Sequence, residues 1–305
     1  MPSIRSRLVR TLIVKSYMRS LFDLDRNSIE QMRQKSETSA RFIKLPKGSH
    51  VEPLTVANRP AEWIRAAHVS DAEKATILYI HSGAFCLEYS TNHREFASRL
   101  SQVSGCRVLA LDYRLAPEHP YPAANEDCLA AYQWLLAEGI PAEKIVIGGD
   151  SAGGGLVLMT LLALRDAGEP RPAAAFLLSP LGGDLVHFDG DSYETRDKTD
   201  PLNTRESIQK FAALYWGATP IDERPVPIRE ELSGLPPLFI QMGDQEVTLS
   251  DATRLAERAK AVGVEVDLEV WEDMWHVFQG FAAFVPEAKE SIEHIGEFVR
   301  CHLGK

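Results

Sequence analysis

Residues 144–164 read KIVIGGDSAGGGLVLMTLLAL. The β-branched run up to Gly149 predicts a buried strand, and the apolar run that begins at Ala152 predicts a helix. Between them, Gly149-Asp150-Ser151-Ala152-Gly153 has the Gly-x-Ser-x-Gly spacing of a nucleophile elbow, a sharp strand-to-helix turn that presents a serine hydroxyl. Glycine is needed on both sides because a Cβ atom there would collide with neighbouring backbone. The first N–H groups of the helix are free and lie at its positive end, so Ala152 could donate to an oxyanion beside Ser151.

Composition favours a single large α/β domain. The chain has 305 residues, of which 45% are apolar and 25% are charged, and its formal net charge of −10 argues against a nucleic-acid partner. None of the four cysteines has CxxC or zinc-site spacing, so we expect Cys106 and Cys128 to be buried core thiols and the protein to be cytoplasmic. No metal and no cofactor is implied.

Strand and helix patterns alternate along most of the chain, which indicates a mostly parallel sheet with helices on both faces. Ligands bind such sheets at the carboxyl ends of the strands. The predicted strands are Ala61–Val69, Ala75–His81, Cys106–Tyr113, Lys144–Gly149, Ala173–Ser179, Pro237–Met242 and Val264–Trp271. The predicted helices are Arg94–Val103, Ala123–Glu138, Ala152–Ala167, Asp251–Val262 and Pro286–Leu303.

Two regions lie outside this alternation. Residues 1–50 predict helices and a polar connection, and residues 182–225 predict an excursion with one helix, Glu206–Trp216. Together these regions could form a cap on a catalytic domain of residues 51–305. The basic and apolar residues 1–22 predict an amphipathic helix that either packs on the domain or lies in a membrane interface. No apolar run is long enough to predict a membrane span.

Three further segments have recognisable motifs. The strand ATILYI (75–80) leads into His81-Ser82-Gly83-Ala84-Phe85, and DYRLAPEHPYPAA (112–124) and SYETRDKTDP (192–201) follow. With GDSAGG, these segments resemble the bacterial hormone-sensitive-lipase-like esterases, in consistent order from about residue 75 to 300. The resemblance implies a capped α/β-hydrolase fold that cleaves carboxylic esters, usually with short or medium acyl chains.

The same resemblance implies that the backbone N–H groups of Gly83, Ala84 and Ala152 form an oxyanion hole. It also implies that His81 supports this loop by hydrogen bonding. From its position beside the nucleophile, Asp150 is expected to brace a loop near the site and not to react. The sequence departs from the family's His-Gly-Gly-Gly, because Ser82 and Ala84 stand where glycines are usual. The methyl group of Ala84 restricts φ, and we expect it to narrow the tolerance for bulky esters.

A serine nucleophile needs a base and a carboxylate that orients the base, and in this fold they follow in the order serine, acid, histidine. His276 follows the last predicted strand in a loop, whereas His294 and His302 fall in the C-terminal helix. Three acidic residues follow Pro237–Met242: Asp244, Glu246 and Asp251. We expect Asp251 in the first turn of the next helix, where its charge suits the helix dipole, which leaves Asp244 and Glu246 in the loop as candidates for the acid. One branch of the family has the pattern GxxEVxL and uses its glutamate as the acid. Residues 243–249 match this pattern, which favours Glu246.

The sequence therefore predicts a serine carboxylesterase that acts on short- to medium-chain esters through an acyl-enzyme on Ser151. A lactone or acetyl-ester hydrolase would use the same triad. A non-catalytic binder is the distant alternative, because the plant gibberellin receptors resemble the family but lack the base. The expected partner is a small-molecule ester, and Val264–Trp271, near a sheet edge, could mediate a homodimer. Six aromatic residues could line the acyl or alcohol pocket or could instead pack in the core or the cap: Phe85, Tyr193, Phe211, Tyr215, Trp216 and Trp275.

Overall fold

The computed structural model describes residues 2–40, 43–70 and 72–305. Its central feature is an eight-stranded sheet in the order β1-β2-β4-β3-β5-β6-β7-β8. The strands β1 and β2 form an antiparallel hairpin, β2 is antiparallel to β4, and the remaining neighbours are parallel. The strands are β1 His50–Val56, β2 Arg59–Arg65, β3 Thr76–Ile80, β4 Arg107–Leu111, β5 Ile145–Asp150, β6 Ala174–Leu178, β7 Leu238–Gly243 and β8 Val266–Trp271. The mostly parallel sheet expected from the sequence is confirmed.

Helices cover both faces of the sheet, since the inner strands bury side chains in both directions. The helices are α1 Ile4–Val9, a π-helical continuation Arg10–Met18, α2 Arg19–Leu21, α3 Ile29–Ala40, α4 Thr91–Ser104, α5 Ala123–Ala137, α6 Ala152–Asp166, α7 Ser192–Thr195, α8 Arg205–Trp216, α9 Leu249–Ala261 and α10 Pro286–Leu303. In β3, Leu78 and Ile80 join an apolar core with α5, α6 and α9. Ile77 and Tyr79 face the opposite core, with α4 and α10. Cys106 and Cys128 are fully buried in these cores, as expected.

One strand was missed from the sequence. Residues 50–56 form β1, whereas the first strand predicted from the sequence begins at Ala61. Of the β1 residues only Val56 is buried, so this edge strand lacks the apolar alternation by which strands are recognised. Ala57 and Asn58 make the turn to β2 with φ values of 46° and 64°. Positive φ at both central residues is typical of a two-residue hairpin turn.

The N-terminal helices and the excursion between β6 and β7 contact each other. Ile29 and Met32 of α3 pack against Phe211 of α8, and the same apolar cluster includes Cys86 and Leu87 of the loop after β3. Both regions assigned to a cap therefore meet over the segment that carries the predicted oxyanion hole.

The strand β8 forms one edge of the sheet, and its Val270 is 44% exposed. A homodimer through this strand stays a prediction, as does the cytoplasmic location. Within the described ranges, no helix combines the length and the apolar character that crossing a bilayer requires.

Candidate active site

Ser151 lies at the turn between β5 and α6, with φ 53° and ψ −121°. This conformation is strained for a residue with a side chain, and the surrounding backbone enforces it. A Cβ atom on Gly149 would lie 2.5 Å from the backbone carbon of Gly153, and one on Gly153 would lie 2.0 Å from the carbonyl oxygen of Ile80. Only glycine therefore fits at either position, which is the reason inferred from the sequence.

A chain of hydrogen bonds links three side chains from separate loops. Ser151 Oγ lies 2.8 Å from His276 Nε2, and His276 Nδ1 lies 2.7 Å from Glu246 Oε2. An ionised carboxylate can only accept, so Nδ1 carries the imidazole proton and Nε2 presents its lone pair to the serine hydroxyl. The site is enclosed, because Ser151, Glu246 and His276 are 5%, 0% and 8% exposed.

Of the acidic residues in the loop after β7, the structure brings Glu246 to the histidine. Asp244 instead accepts the backbone N–H of Asp273 at 2.7 Å through Oδ1. Asp251 lies in the first turn of α9, as expected, and accepts the hydroxyl of Tyr193 at 2.8 Å.

The charge state of His276 follows from opposing influences. Burial lowers its pKa, but the hydrogen bond and charge of Glu246 raise it, and the charges of Asp200 and Asp150 add to this rise. The net effect is a pKa above the ordinary 6.5 of an imidazole. The surrounding carboxylates thus make the imidazole a stronger base than a free histidine.

The loop after β3 has an unusual backbone. Gly83 has φ 126°, while Ala84 and Phe85 have φ values of 50° and 63°. For a residue with a Cβ atom this left-handed region costs about 1–2 kcal/mol. The Gly83 carbonyl accepts the N–H groups of Cys86 and Leu87, which holds the turn closed.

The N–H groups assigned to the oxyanion hole are available. Within the described part of the chain, those of Gly83 and Ala84 donate to no backbone or side-chain acceptor. Ala152 is the first residue of α6, so its N–H has no partner within the helix.

His81 and Asp150 lie beneath this loop. His81 Nδ1 lies 2.6 Å from the Ser82 carbonyl oxygen, the ring stacks on Tyr113, and the Tyr113 hydroxyl donates to the His81 carbonyl at 2.9 Å. Burial lowers the pKa of His81 to about 4, so the ring is neutral. Asp150 accepts the Tyr79 hydroxyl at 2.6 Å; burial raises the pKa of Asp150, and its hydrogen bonds oppose this.

The chain is similar to known α/β-hydrolases and esterases. A family profile described as the alpha/beta hydrolase fold matches residues 77–280. An acetyl-hydrolase of Streptomyces hygroscopicus is 39% identical over 264 residues, 86% of each chain, and an esterase of Acinetobacter venetianus is 36% identical over 250 residues, 81% of each chain. The crystal structure of an esterase from the bacterial hormone-sensitive lipase family superimposes with a TM-score of 0.90, at 42% identity over 99% of each chain. The chain belongs to this family. It has the α/β-hydrolase fold and is a carboxylic ester hydrolase.

Several candidate pocket residues of the esterase form one aromatic cluster. The Phe85 ring stacks on Tyr215 with centroids 4.0 Å apart, and Tyr215 contacts Trp216 at 4.8 Å. Phe211 belongs to the neighbouring apolar cluster with α3. These contacts join α8 to the loop after β3. Whether these side chains line the ester pocket stays a prediction.

The other two candidates have different surroundings. The Tyr193 hydroxyl is bonded to Asp251, and its ring meets Phe188 edge-on. Trp275 is fully buried in the core on the α4 and α10 face, with Phe281 against its ring. Both side chains have packing contacts that account for their burial.

Sequence reasoning missed one polar residue of the esterase site. Ser179, directly after β6, donates to Glu246 Oε1 at 2.7 Å and accepts the N–H of Val277 at 3.0 Å. Glu246 Oε1 also accepts the Gly243 N–H at 2.6 Å. Ser179 thus connects Glu246 to Val277, the residue after His276. Its position at the carboxyl end of a strand is the one signal that the sequence offers.

Proposed function

We propose that the protein is a serine carboxylesterase that hydrolyses esters of short- to medium-chain acids through an acyl-enzyme on Ser151. The observation that carries the proposal is the continuous hydrogen-bonded chain from Ser151 Oγ through His276 to Glu246. A serine hydroxyl becomes a useful nucleophile only when such a base takes its proton.

The chemistry follows from the atoms. His276 Nε2 takes the proton as Ser151 Oγ attacks the ester carbonyl, and Glu246 stabilises the imidazolium that forms. The N–H groups of Gly83, Ala84 and Ala152 bind the tetrahedral oxyanion. The alcohol leaves with the proton from Nε2. The same nitrogen then takes a proton from a water molecule that attacks the acyl carbonyl, and the carboxylic acid product is released from Ser151.

Enclosure of the site supports the preference for short acyl chains. Ser151 is 5% exposed, and residues 182–225 together with α1–α3 would act as a cap above it. The Ala84 methyl and the Phe85 ring, which stacks on Tyr215, would further limit the room for the ester if they line its pocket.

An acetyl-ester hydrolase is the second candidate, favoured by the similarity to the Streptomyces hygroscopicus acetyl-hydrolase. The test is a panel of p-nitrophenyl acetate, butyrate, hexanoate, decanoate and palmitate, with a γ-lactone and Ser151→Ala as the control. We expect kcat/KM to peak at butyrate or hexanoate and to fall steeply at decanoate. A peak at acetate identifies the second candidate, and a peak at palmitate or at the lactone refutes both.

A further inference from the structure

Asp200, near the end of the segment SYETRDKTDP (192–201), is a buried carboxylate that the proposed mechanism does not use. Asp200 is 1% exposed. Its Oδ1 accepts the N–H groups of Leu202 and Asn203 at 2.8 and 2.9 Å, and its Oδ2 accepts the N–H of Val247 at 3.0 Å. Val247 directly follows the proposed triad acid, so the carboxylate connects the excursion between β6 and β7 to the acid loop.

Ser192, at the other end of this segment, is also hydrogen-bonded to Val247. Ser192 Oγ donates to the Val247 carbonyl at 2.6 Å. The N–H and the carbonyl of Val247 are thus both bonded to side chains of one segment, eight positions apart in sequence. Arg19, after the π-helical stretch, donates to the Asp200 carbonyl at 3.2 Å and extends the connection to the N-terminal helices.

Asp200 also contributes charge. Burial raises its pKa to about 6, the three N–H donors lower it, and the charge of Glu246 raises it. Above that pH the ionised carboxylate joins Glu246 and Asp150 in raising the pKa of His276. Of the cations on the N-terminal helices, Arg19 donates to the Asp200 backbone carbonyl, and Arg10 donates to Asp273, Gln245 and the Thr199 carbonyl.

We propose that Asp200 is a positioning residue for ester hydrolysis: it fixes the peptide that follows Glu246 and supplies a further negative charge that favours protonated His276. The inference rests on the proposed serine mechanism. The charge is useful because the imidazole gains a proton as the tetrahedral intermediate forms, so a fixed anion nearby stabilises the transition state more than the ground state.

The test compares Asp200→Asn with Asp197→Asn. All three partners of the Asp200 carboxylate donate, so an amide must turn its NH2 group toward at least one of them. We expect kcat for p-nitrophenyl butyrate to fall about tenfold to a hundredfold with KM within about threefold. We also expect the acid limb of the kcat/KM profile to move to lower pH. Asp197 accepts one backbone N–H, from Arg205 at 2.7 Å, and its variant should match the wild type in rate and profile.

A second variant separates the contact from the charge and covers the case in which Asp200→Asn does not fold. Ser192→Ala removes the bond to the Val247 carbonyl, together with the acceptor of the Ser250 N–H, without changing the charge. We therefore expect kcat to fall and the acid limb to stay in place. An unmoved acid limb in folded Asp200→Asn, or wild-type kcat in Ser192→Ala, overturns the inference. Trapping of an acyl group on wild-type Ser151 is measured in parallel. Its absence would refute the proposed mechanism, whereas its presence beside an unaffected Asp200→Asn would refute this inference alone.

Discussion

Replacing Glu246 by glutamine tests which carboxylate orients the base. Both carboxylate oxygens accept: Oε1 from the Gly243 N–H and the Ser179 hydroxyl, Oε2 from His276 Nδ1. A glutamine has only one acceptor oxygen. With that oxygen kept on Gly243 and Ser179, its NH2 group faces Nδ1, and the imidazole must carry its proton on Nε2, where it cannot accept one from Ser151.

A wrong tautomer of this kind costs about 10⁴-fold in kcat in other serine hydrolases, or about 5 kcal/mol of transition-state stabilisation. We expect Glu246→Gln to lower kcat by roughly 10³- to 10⁴-fold. The matched control is Asp244→Asn, because Asp244 lies two positions earlier and accepts the Asp273 N–H. The Asp244→Asn variant should retain kcat within about threefold, since removal of the Asp244 charge leaves the His276 tautomer unchanged.

The assay is steady-state hydrolysis of p-nitrophenyl butyrate by both variants, with far-UV circular dichroism and Tm to verify folding. Retention of more than a tenth of the wild-type kcat by folded Glu246→Gln would refute the reasoning. So would a larger loss in Asp244→Asn than in Glu246→Gln.

Three further predictions follow from the site and its surroundings. Because the pKa of His276 is raised and the base must be neutral, kcat/KM should decline as pH falls, with a midpoint above 6.5; a midpoint below 6.5 would contradict the raised pKa. Ala84→Gly relieves the left-handed strain and removes a methyl group, so the ratio of decanoate to butyrate hydrolysis should rise, and an unchanged ratio would show that this methyl does not limit substrate size. Burial raises the pKa of Asp251 from its usual 3.8 to about 7. The folded state therefore binds this proton more tightly than the unfolded state, and the free energy of unfolding decreases as the pH rises from 3.8 to about 7. Asp251→Asn should therefore raise Tm by roughly 2 °C or more at about pH 8, with a smaller gain at about pH 5, and calorimetry that finds equal gains would contradict this.

The sequence predicted those parts of the molecule whose structure depends on residues close together in the chain. The strand, turn and helix around Ser151 depend on a local apolar run and on glycines at fixed spacing, and the structure contains all three elements. The loop with His276 follows from its position after the last strand. The strand β1 lacked such a pattern because six of its seven residues are not buried.

The contacts that hold the acid could not be found in the same way. Ser179 and Glu246 are 67 positions apart, and Asp200 and Val247 are 47 apart. Whether two such polar residues meet depends on how the segments pack, which residue spacing does not encode. The positive φ of Ala84 also arises from the closed turn around Gly83, since alanine has no local preference for that conformation.

The central claim is that Ser151 forms the acyl-enzyme, and trapping that species tests it most directly. Wild-type protein is mixed with excess p-nitrophenyl butyrate, quenched in acid within milliseconds, digested and analysed by mass spectrometry. The account predicts a butyryl group on the peptide that contains Ser151. The group should be absent from Ser151→Ala and from wild-type protein that was treated with a fluorophosphonate before the ester was added. Full esterase activity in Ser151→Ala, or acylation of a different residue in the wild type, would contradict it.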